Sequence, residues 1–428
     1  NGEKPWIRVG TSICGQAAGA LKVVEAIHSE LSDQGIAATV TTVGCIGLCY
    51  AEPLVDIQVS GGARIFYGNV TPALVPEILK AHIGGGRART ELAMGVLGSQ
   101  EDGLPSMEDH PMMKGQVRIA MRNAGHIDPV DVYQYIATGG FGGLSKALTE
   151  LTADQVLEEV VKSGLRGRGG AAFPTGTKWS FLKRSPGPVK YVLCNCEEGD
   201  PGAFNDKGIL ESDPFTLIEG MILAGYATEA SNSVIFIRHG HWGPIQRTEA
   251  AIRACYEVGL LGKNILGTGF NHDMEVSLTG ESYVSGEETA LMEAVEGKRA
   301  MPRFRPPFPA QVGLWQRPSN INNVKTLAYV PEIVANGGEW FAGIGTGKST
   351  GTAIICLSGD IARPGMVEVP FGMTLHQVID EIGGGVPNGK RLKLLQTGGP
   401  LGGVLSAEQV DVTLDFEQMA QAGAILGS

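Results

Sequence analysis

The 428-residue chain has no excess of positive charge, no long apolar run and no even set of cysteines, and each absence removes a class of protein. Thirty-four Lys and Arg stand against 45 Asp and Glu, a net charge of −11. That balance excludes a broad nucleic-acid-binding or anionic-membrane surface, which needs clustered cations. No stretch approaches the ~20 apolar residues that span a bilayer, and the opening NGEKPWIRVG lacks the layout of a signal peptide. A cytoplasmic chain without direct membrane insertion is expected. Position 1 is Asn rather than Met and the last residues are GAILGS, so both ends are expected to be cut short. The seven cysteines, at 14, 45, 49, 194, 196, 255 and 356, fit a reduced compartment and metal ligation better than a disulfide framework.

What is present is enough apolar content, 43% of residues, for roughly three domains at about 150 residues each. Residues 1–83 read as a small α/β unit of thioredoxin-like size: WIRVGTSI, ATVTTVG, PLVDIQV and ARIFYGN as strands, AAGALKVVEAIHSEL and TPALVPEIL as helices. Residues 84–115, rich in Gly, Pro, Met and charge, carry no sustained period and read as a linker. In residues 116–345 strands such as VKYVLC, SVIFIRH and MEVSLTG alternate with helices, which predicts an α/β sheet layered by helices. The first of these helices opens on Thr152-Ala-Asp-Gln155, the pattern of a capping box. Residues 346–428 predict short strands around one helix, a small α+β unit.

The stretch GLRGRGGAAFPTGTKW, Gly164 to Trp179, holds five glycines in its first thirteen residues, flanked by Arg166, Arg168 and Lys178. Gly167, Gly169 and Ala172 satisfy G-x-G-x-x-G/A, but a helix precedes them and Pro174 interrupts, whereas a dinucleotide fingerprint follows a strand. A flexible turn and an anion cradle both remain open, the basic groups favouring the cradle. Ala342 to Ser349, AGIGTGKS, misses a triphosphate-binding loop by one residue and reads as a solvated turn. His239 and His241 have no carboxylate or third histidine nearby in sequence and read as structural or solvent-facing.

At the end of VKYVLC lies Cys194 to Phe204, CNCEEGDPGAF, whose carboxylates could accept sugar hydroxyls, hold a metal or simply be solvated. Tyr283 to Thr289 (YVSGEET), Arg303 to Pro309 (RFRPPFP) and Ser319 to Thr326 (SNINNVKT) add paired carboxylates, rigid aromatic and basic groups, and amides suited to a heterocycle edge.

Together GRGGAAFPTGTKW, CNCEEGDPG, SGEETALMEAVEGKRAMPRFRPPFP and NINNVKTLA resemble the NADH-binding flavoprotein subunit of respiratory complex I and its relatives in soluble NAD-linked hydrogenases, formate dehydrogenases and electron-bifurcating complexes. The likeness runs from about residue 116 to the end. It implies an FMN site of Gly167, Arg168, Gly169, Lys178, Asn195, Glu197, Tyr283, Gly286, Glu287, Asn322, Asn323 and Thr326. For NAD(H) it implies Phe173, Phe181 and Phe308 as stacking faces, with Glu198, Asp200, Glu288 and Arg305 at polar groups. Glu288 would position the nucleotide, and no side chain would act as acid or base. The implied function is that of a diaphorase passing hydride between NAD(H) and FMN and single electrons to iron–sulfur and catalytic subunits of a multi-subunit oxidoreductase. A complex I subunit or a cofactor-poor scaffold is the alternative. The last unit would be the family's ubiquitin-like module.

Cys14, Cys45 and Cys49 resemble the thioredoxin-like [2Fe–2S] domain of the same enzymes, which needs four thiolates. The fourth is missing: the stretch expected to carry it reads Gln16-Ala-Ala-Gly19. The family's [4Fe–4S] cluster also has no ligand set in this chain.

Overall fold

A computed structural model describes residues 4–98, 103–280 and 282–427. Residues 1–3 and 428, at the ends of the first and last units, and 99–102 of the 84–115 linker lie outside the described residues.

Five strands build the first sheet: β1 (Trp6–Gly10), β2 (Thr39–Val43), β3 (Val55–Gln58), β4 (Arg64–Tyr67) and β5 (Ala93–Leu97), in the order β2-β1-β3-β4-β5. β1 runs parallel to β2 and antiparallel to β3, and the remaining pairs are antiparallel. The helix Ala20–Asp33 lays Val23, Ile27 and Leu31, one helical face, against Ile7 and Val9 of β1. The stretch expected to be a linker supplies β5, an edge strand whose five residues are too few to show a period. Beyond it, Met107 and Met112 are buried with Leu357 and Val367 of the last unit, so this segment is packed rather than free.

The central sheet is wholly parallel: β6 (Tyr191–Cys196), β7 (Asn232–Arg238), β8 (Asp273–Thr279) and β9 (Ser319–Asn323), ordered β8-β7-β6-β9. The helix Pro214–Thr228 is apolar on every side and buried almost throughout, as a helix in the centre of a large core must be. One charge within it, Glu219, is satisfied by the backbone N–H groups of Phe141 and Leu144, both 2.8–2.9 Å away, and by the Tyr135 hydroxyl at 2.6 Å.

The helix Ala153–Lys162 begins as its sequence predicts. Thr152 and Gln155 form both halves of the capping box, and Gly164, at φ +64°, follows its last turn. Thr152→Ala is expected to lower stability by about 1 kcal/mol, read as a shift of the urea midpoint with unchanged slope.

A short hairpin, β10 (Gly345–Thr346) with β11 (Ser349–Thr350), occupies the AGIGTGKS stretch, and no helix opens after Lys348. It is a turn, not a triphosphate cradle. Two further pairs, β12 (Thr352–Leu357) with β13 (Gly365–Pro370) and β14 (Leu394–Gln396) with β15 (Val404–Ser406), complete the last unit around the helix Gln377–Ile382. No helix among the described residues is long and apolar enough to cross a membrane.

Candidate functional site

In the central sheet the chain leaves β6 for β7 and β8 on one side and returns as β9 on the other. The crevice between the carboxyl ends of β6 and β9 is therefore a topological switch point, where open α/β sheets bind ligands. The glycine-rich loop lies across it. Arg168 N–H donates to Thr326 Oγ1 at 2.9 Å, just past β9. A Cβ at Gly169 would stand 3.2 Å from Cβ of Asn323, so a side chain there would push the loop backbone or the strand end apart by a few tenths of an ångström.

The loop also opens a helix, Thr175–Arg184, which the sequence reading missed by treating Pro174 as an interruption. Pro174 stands at the helix entrance, where its fixed φ is already helical and its missing N–H is not needed. The loop is closed by Gly167 N–H to Phe173 O and Thr175 N–H to Leu165 O, both 2.9 Å. Glycine backbone and a helix N-terminus together make an anion-binding concavity.

Lys178, in that helix, joins three elements. Its ammonium pairs with Glu288 and donates to Ile321 O of β9 at 2.6 Å. Glu287 caps the helix Glu288–Val295 through Thr289 N–H and Ala290 N–H at 2.8 and 3.0 Å, and despite partial burial these bonds hold its carboxyl below the usual range. Arg305 stands 3.4 Å from Glu287 and 3.6 Å from Glu288. Asn195, near the end of β6, donates to Gly286 O at 2.8 Å and accepts from Glu197 N–H at 3.0 Å. Glu197 pairs with Arg238 of β7, and burial pushes its carboxyl up. Phe173, Phe181, Phe308 and Tyr283 are each about half exposed, and the first two rings lie 6.5 Å apart. Half-exposed aromatic faces beside charged groups suit a flat heterocycle.

Four residues sit differently from expectation. The Arg168 guanidinium is buried away from the crevice, donating to Thr350 O at 2.8 Å and Thr352 O at 3.2 Å and lying over the Phe371 ring, so only its backbone serves the loop. Glu198 does not face outward for a nucleotide. It is buried and accepts the Asp206 and Lys207 N–H groups at 2.9 Å, at the start of the helix Asn205–Ser212, and burial raises its pKa. Asp200 is also buried. Asn322 lies beneath the crevice, accepting from the Trp179 indole at 3.3 Å and donating to Asn320 at 2.9 Å.

Sequence reasoning missed the network below. Lys325 is buried with its ammonium 3.0 Å from Asp206 and 2.8 Å from Asn205, and Asp206 accepts from Asn323 at 2.6 Å. A lysine inside the apolar run Val324–Ala328 was the available signal, because an ammonium is buried only with partners.

Cys14, Cys45 and Cys49 come together with all three sulfurs within 4.8 Å of one another, the one such group of potential metal ligands among the described residues. Their softness suits an iron–sulfur cluster, one thiolate short. The helix Asn205–Ser212, about 12 Å long at 1.5 Å per residue, links this corner to the crevice. Asp206 lies at its crevice end, and Glu211 at the other accepts Ile13 N–H, beside Cys14, at 3.1 Å. Cys194, Cys196 and Cys255 are buried, and burial raises all three thiols.

Residues 160–332 match the family model of the Nuo51 FMN-binding domain, and residues 354–405 that of the SLBB domain. The NADP-reducing hydrogenase subunit HndC of Solidesulfovibrio fructosivorans is 48% identical over 315 residues, 74% of this chain and 64% of that one. An NADH-quinone oxidoreductase subunit of Rhizobium meliloti is 44% identical over 310 residues, 72% of this chain and 74% of that protein. Its counterpart in the NADH-quinone oxidoreductase of Escherichia coli is 40% identical over 301 residues, 70% of this chain and 68% of that protein. Among solved structures, the NAD+-reducing [NiFe]-hydrogenase in its H2-reduced state matches with a TM-score of 0.61 and 28% identity, over 97% of this chain and 67% of the other. The chain thus spans just under two thirds of the first of these relatives.

Proposed function

The chain belongs to the family of Nuo51-type FMN-binding subunits, and from that premise we propose that it is the diaphorase subunit of a multi-subunit oxidoreductase, moving hydride between NAD(H) and FMN and electrons onward to iron–sulfur centres. One observation carries this reading: the glycine loop, held by Arg168 N–H on Thr326, closes over the switch point between β6 and β9.

The donor chemistry fits FMN. Thr175 Oγ1 and Asn320 Nδ2 are buried near the crevice with no hydrogen-bond partner among the described residues. Gly167 and Arg168, whose N–H groups are taken by Phe173 O and Thr326 Oγ1, shape the loop, while the Gly169 backbone, the Thr175 hydroxyl at the helix start and the Lys178 ammonium offer donors to a phosphate. Asn195, Gly286, Glu287, Asn323 and Thr326 offer acceptors and donors to ribityl hydroxyls and ring edges, with Glu197 and Asn322 holding them in place. Tyr283, Phe173, Phe181 and Phe308 provide faces for the nicotinamide dinucleotide, and Glu288 and Arg305 meet its polar groups. FMN supplies a hydride acceptor able to release electrons singly, so this chain needs only to orient two rings and exclude water, with no side-chain acid or base.

The thioredoxin-like reading of residues 1–83 is supported by the parallel β1–β2 pair at one edge of the sheet, continued by antiparallel β3 and β4, and the unit extends to β5. The ubiquitin-like reading of residues 346–428 rests on the SLBB match and its two antiparallel pairs. Between them, 116–345 forms the FMN and NAD(H) unit. Iron–sulfur and catalytic subunits of a hydrogenase, formate dehydrogenase or bifurcating complex are the partners this reading calls for.

NADH-dependent reduction of an artificial dye by the FMN-loaded chain tests the reading. Magnesium-dependent phosphate release instead would point to a nucleotide triphosphatase. With Glu198 and Asp200 buried, discrimination against a ribose 2′-phosphate falls to Glu288, and NADH is expected to exceed NADPH in kcat/KM by roughly tenfold or more. Equal values for the two would remove that carboxylate from the ribose.

A further inference from the structure

We propose that Glu52 is the fourth ligand of the metal centre begun by Cys14, Cys45 and Cys49, so that three thiolates and one carboxylate complete the set. Two pairs of donor atoms stand out. Cys45 Sγ and Cys49 Sγ are 3.9 Å apart, and Cys14 Sγ and Glu52 Oε1 are 4.0 Å apart. With metal–thiolate bonds of about 2.3 Å and metal–carboxylate bonds of about 2.1 Å, two ligands on one tetrahedral ion lie about 3.6–3.8 Å apart. Each pair is thus within about 0.4 Å of the spacing of ligands sharing an ion, and a [2Fe–2S] cluster takes its protein ligands two per iron.

Space at the end of β1 leads to the same residue. A Cβ built on Gly10 would lie 2.7 Å from Glu52 Oε1 and 3.2 Å from its Cδ. The carboxylate therefore fills the volume that a side chain from position 10 would enter. A Cβ at Gly15, the residue after Cys14, would likewise lie 3.1 Å from Glu52 Oε2, so the carboxylate occupies the space on both sides of Cys14.

Glu52 is also prepared for the role. Its Oε2 accepts Leu54 N–H at 2.8 Å, which leaves Oε1 directed at Cys14. The residue is 5% exposed, and no Lys, Arg or His forms an ion pair with it among the described residues. Buried carboxylates are paired or bind metal. Around the thiolates, Gly47 N–H donates to Cys45 Sγ at 3.3 Å, and the half-buried Arg118 donates to Ile46 O, next to Cys45, at 3.1 Å. These groups offset an anionic ligand set.

The shared chemistry is a four-donor S3O sphere, which a two-iron, two-sulfide cluster or a single zinc-class ion could occupy. Elemental analysis of the anaerobically reconstituted full chain separates them, as two irons with two acid-labile sulfides or one zinc. In either case Glu52→Gln, which keeps the shape and removes the charge, is expected to lower metal retained after chelator dialysis by roughly tenfold or more. Gly10→Cys with Glu52→Ala is expected to restore it with altered charge-transfer absorption, showing that the first loss was not unfolding. FMN retention, which depends on the separate central unit, reports on the rest of the chain. Full metal content and an unchanged spectrum in Glu52→Gln would overturn the proposal, as would a wild-type chain that takes up neither metal. Dye reduction by NADH is untouched by either result.

Discussion

Gly169→Leu is expected to strip the chain of FMN while leaving it folded. The position has no room on its strand side, because a Cβ there already stands 3.2 Å from Cβ of Asn323. Leucine adds three further carbons, so either the loop lifts or Asn323 turns. Asn323 cannot turn freely: it donates to Asp206 at 2.6 Å and caps the helix Val324–Ala328 through Lys325 N–H at 2.9 Å. The loop yields instead and pulls Arg168 N–H from Thr326. Overpacking of this kind costs about 1–3 kcal/mol, which a chain of this size survives. A displacement of about 1 Å at the cradle is worth roughly 100-fold in rate, and dye reduction should fall at least that far. Flavin absorbance after gel filtration, with far-UV circular dichroism as control, gives the readout. A folded variant with full FMN would make the loop a mere turn.

Glu368→Gln is expected to be the most destabilising conservative change in the last unit. The carboxylate is fully buried and accepts three successive backbone N–H groups, Ile119 at 2.9 Å, Ala120 at 3.2 Å and Met121 at 2.9 Å, and the Thr352 hydroxyl at 2.6 Å. An amide presents its own donors to these donors. At 1–3 kcal/mol for each buried group left unpaired, the loss should reach about 3 kcal/mol. The effect should travel, because Thr352 also receives the Arg168 guanidinium. This chain of bonds ties the glycine loop to the last unit and to residues 119–121. Urea denaturation is expected to show a lowered midpoint, and FMN should be released at a lower urea concentration than from the parent. An unchanged midpoint would mean that the amide repacks without loss.

The expected strands of the two sheets were legible because their periods are local, and so was the capping box at Thr152. The crevice was legible as a set of motifs: Gly169, Asn195, Gly286, Asn323 and Thr326 do converge. What the sequence hid depends on partners far along the chain. Arg168 looks like a phosphate ligand until Thr350 and Thr352, some 180 residues on, claim it. Glu198 looks solvated in an acidic loop until a helix starting a few residues later turns its N–H groups onto it. β5 was hidden by shortness, and the helix after Pro174 by reading proline as a break when it equally marks a beginning. The gap in the cysteine set was visible, but the carboxylate beside it became evident only when β1 and Glu52 were placed side by side.

Anaerobic titration of the FMN-reconstituted full chain with NADH, followed at the visible flavin band, tests the central claim most directly. Flavin is expected to stay bound through gel filtration, and its band to bleach with about one NADH per FMN. A chain that binds no flavin, or one whose flavin band is unmoved by excess NADH, would contradict the claim.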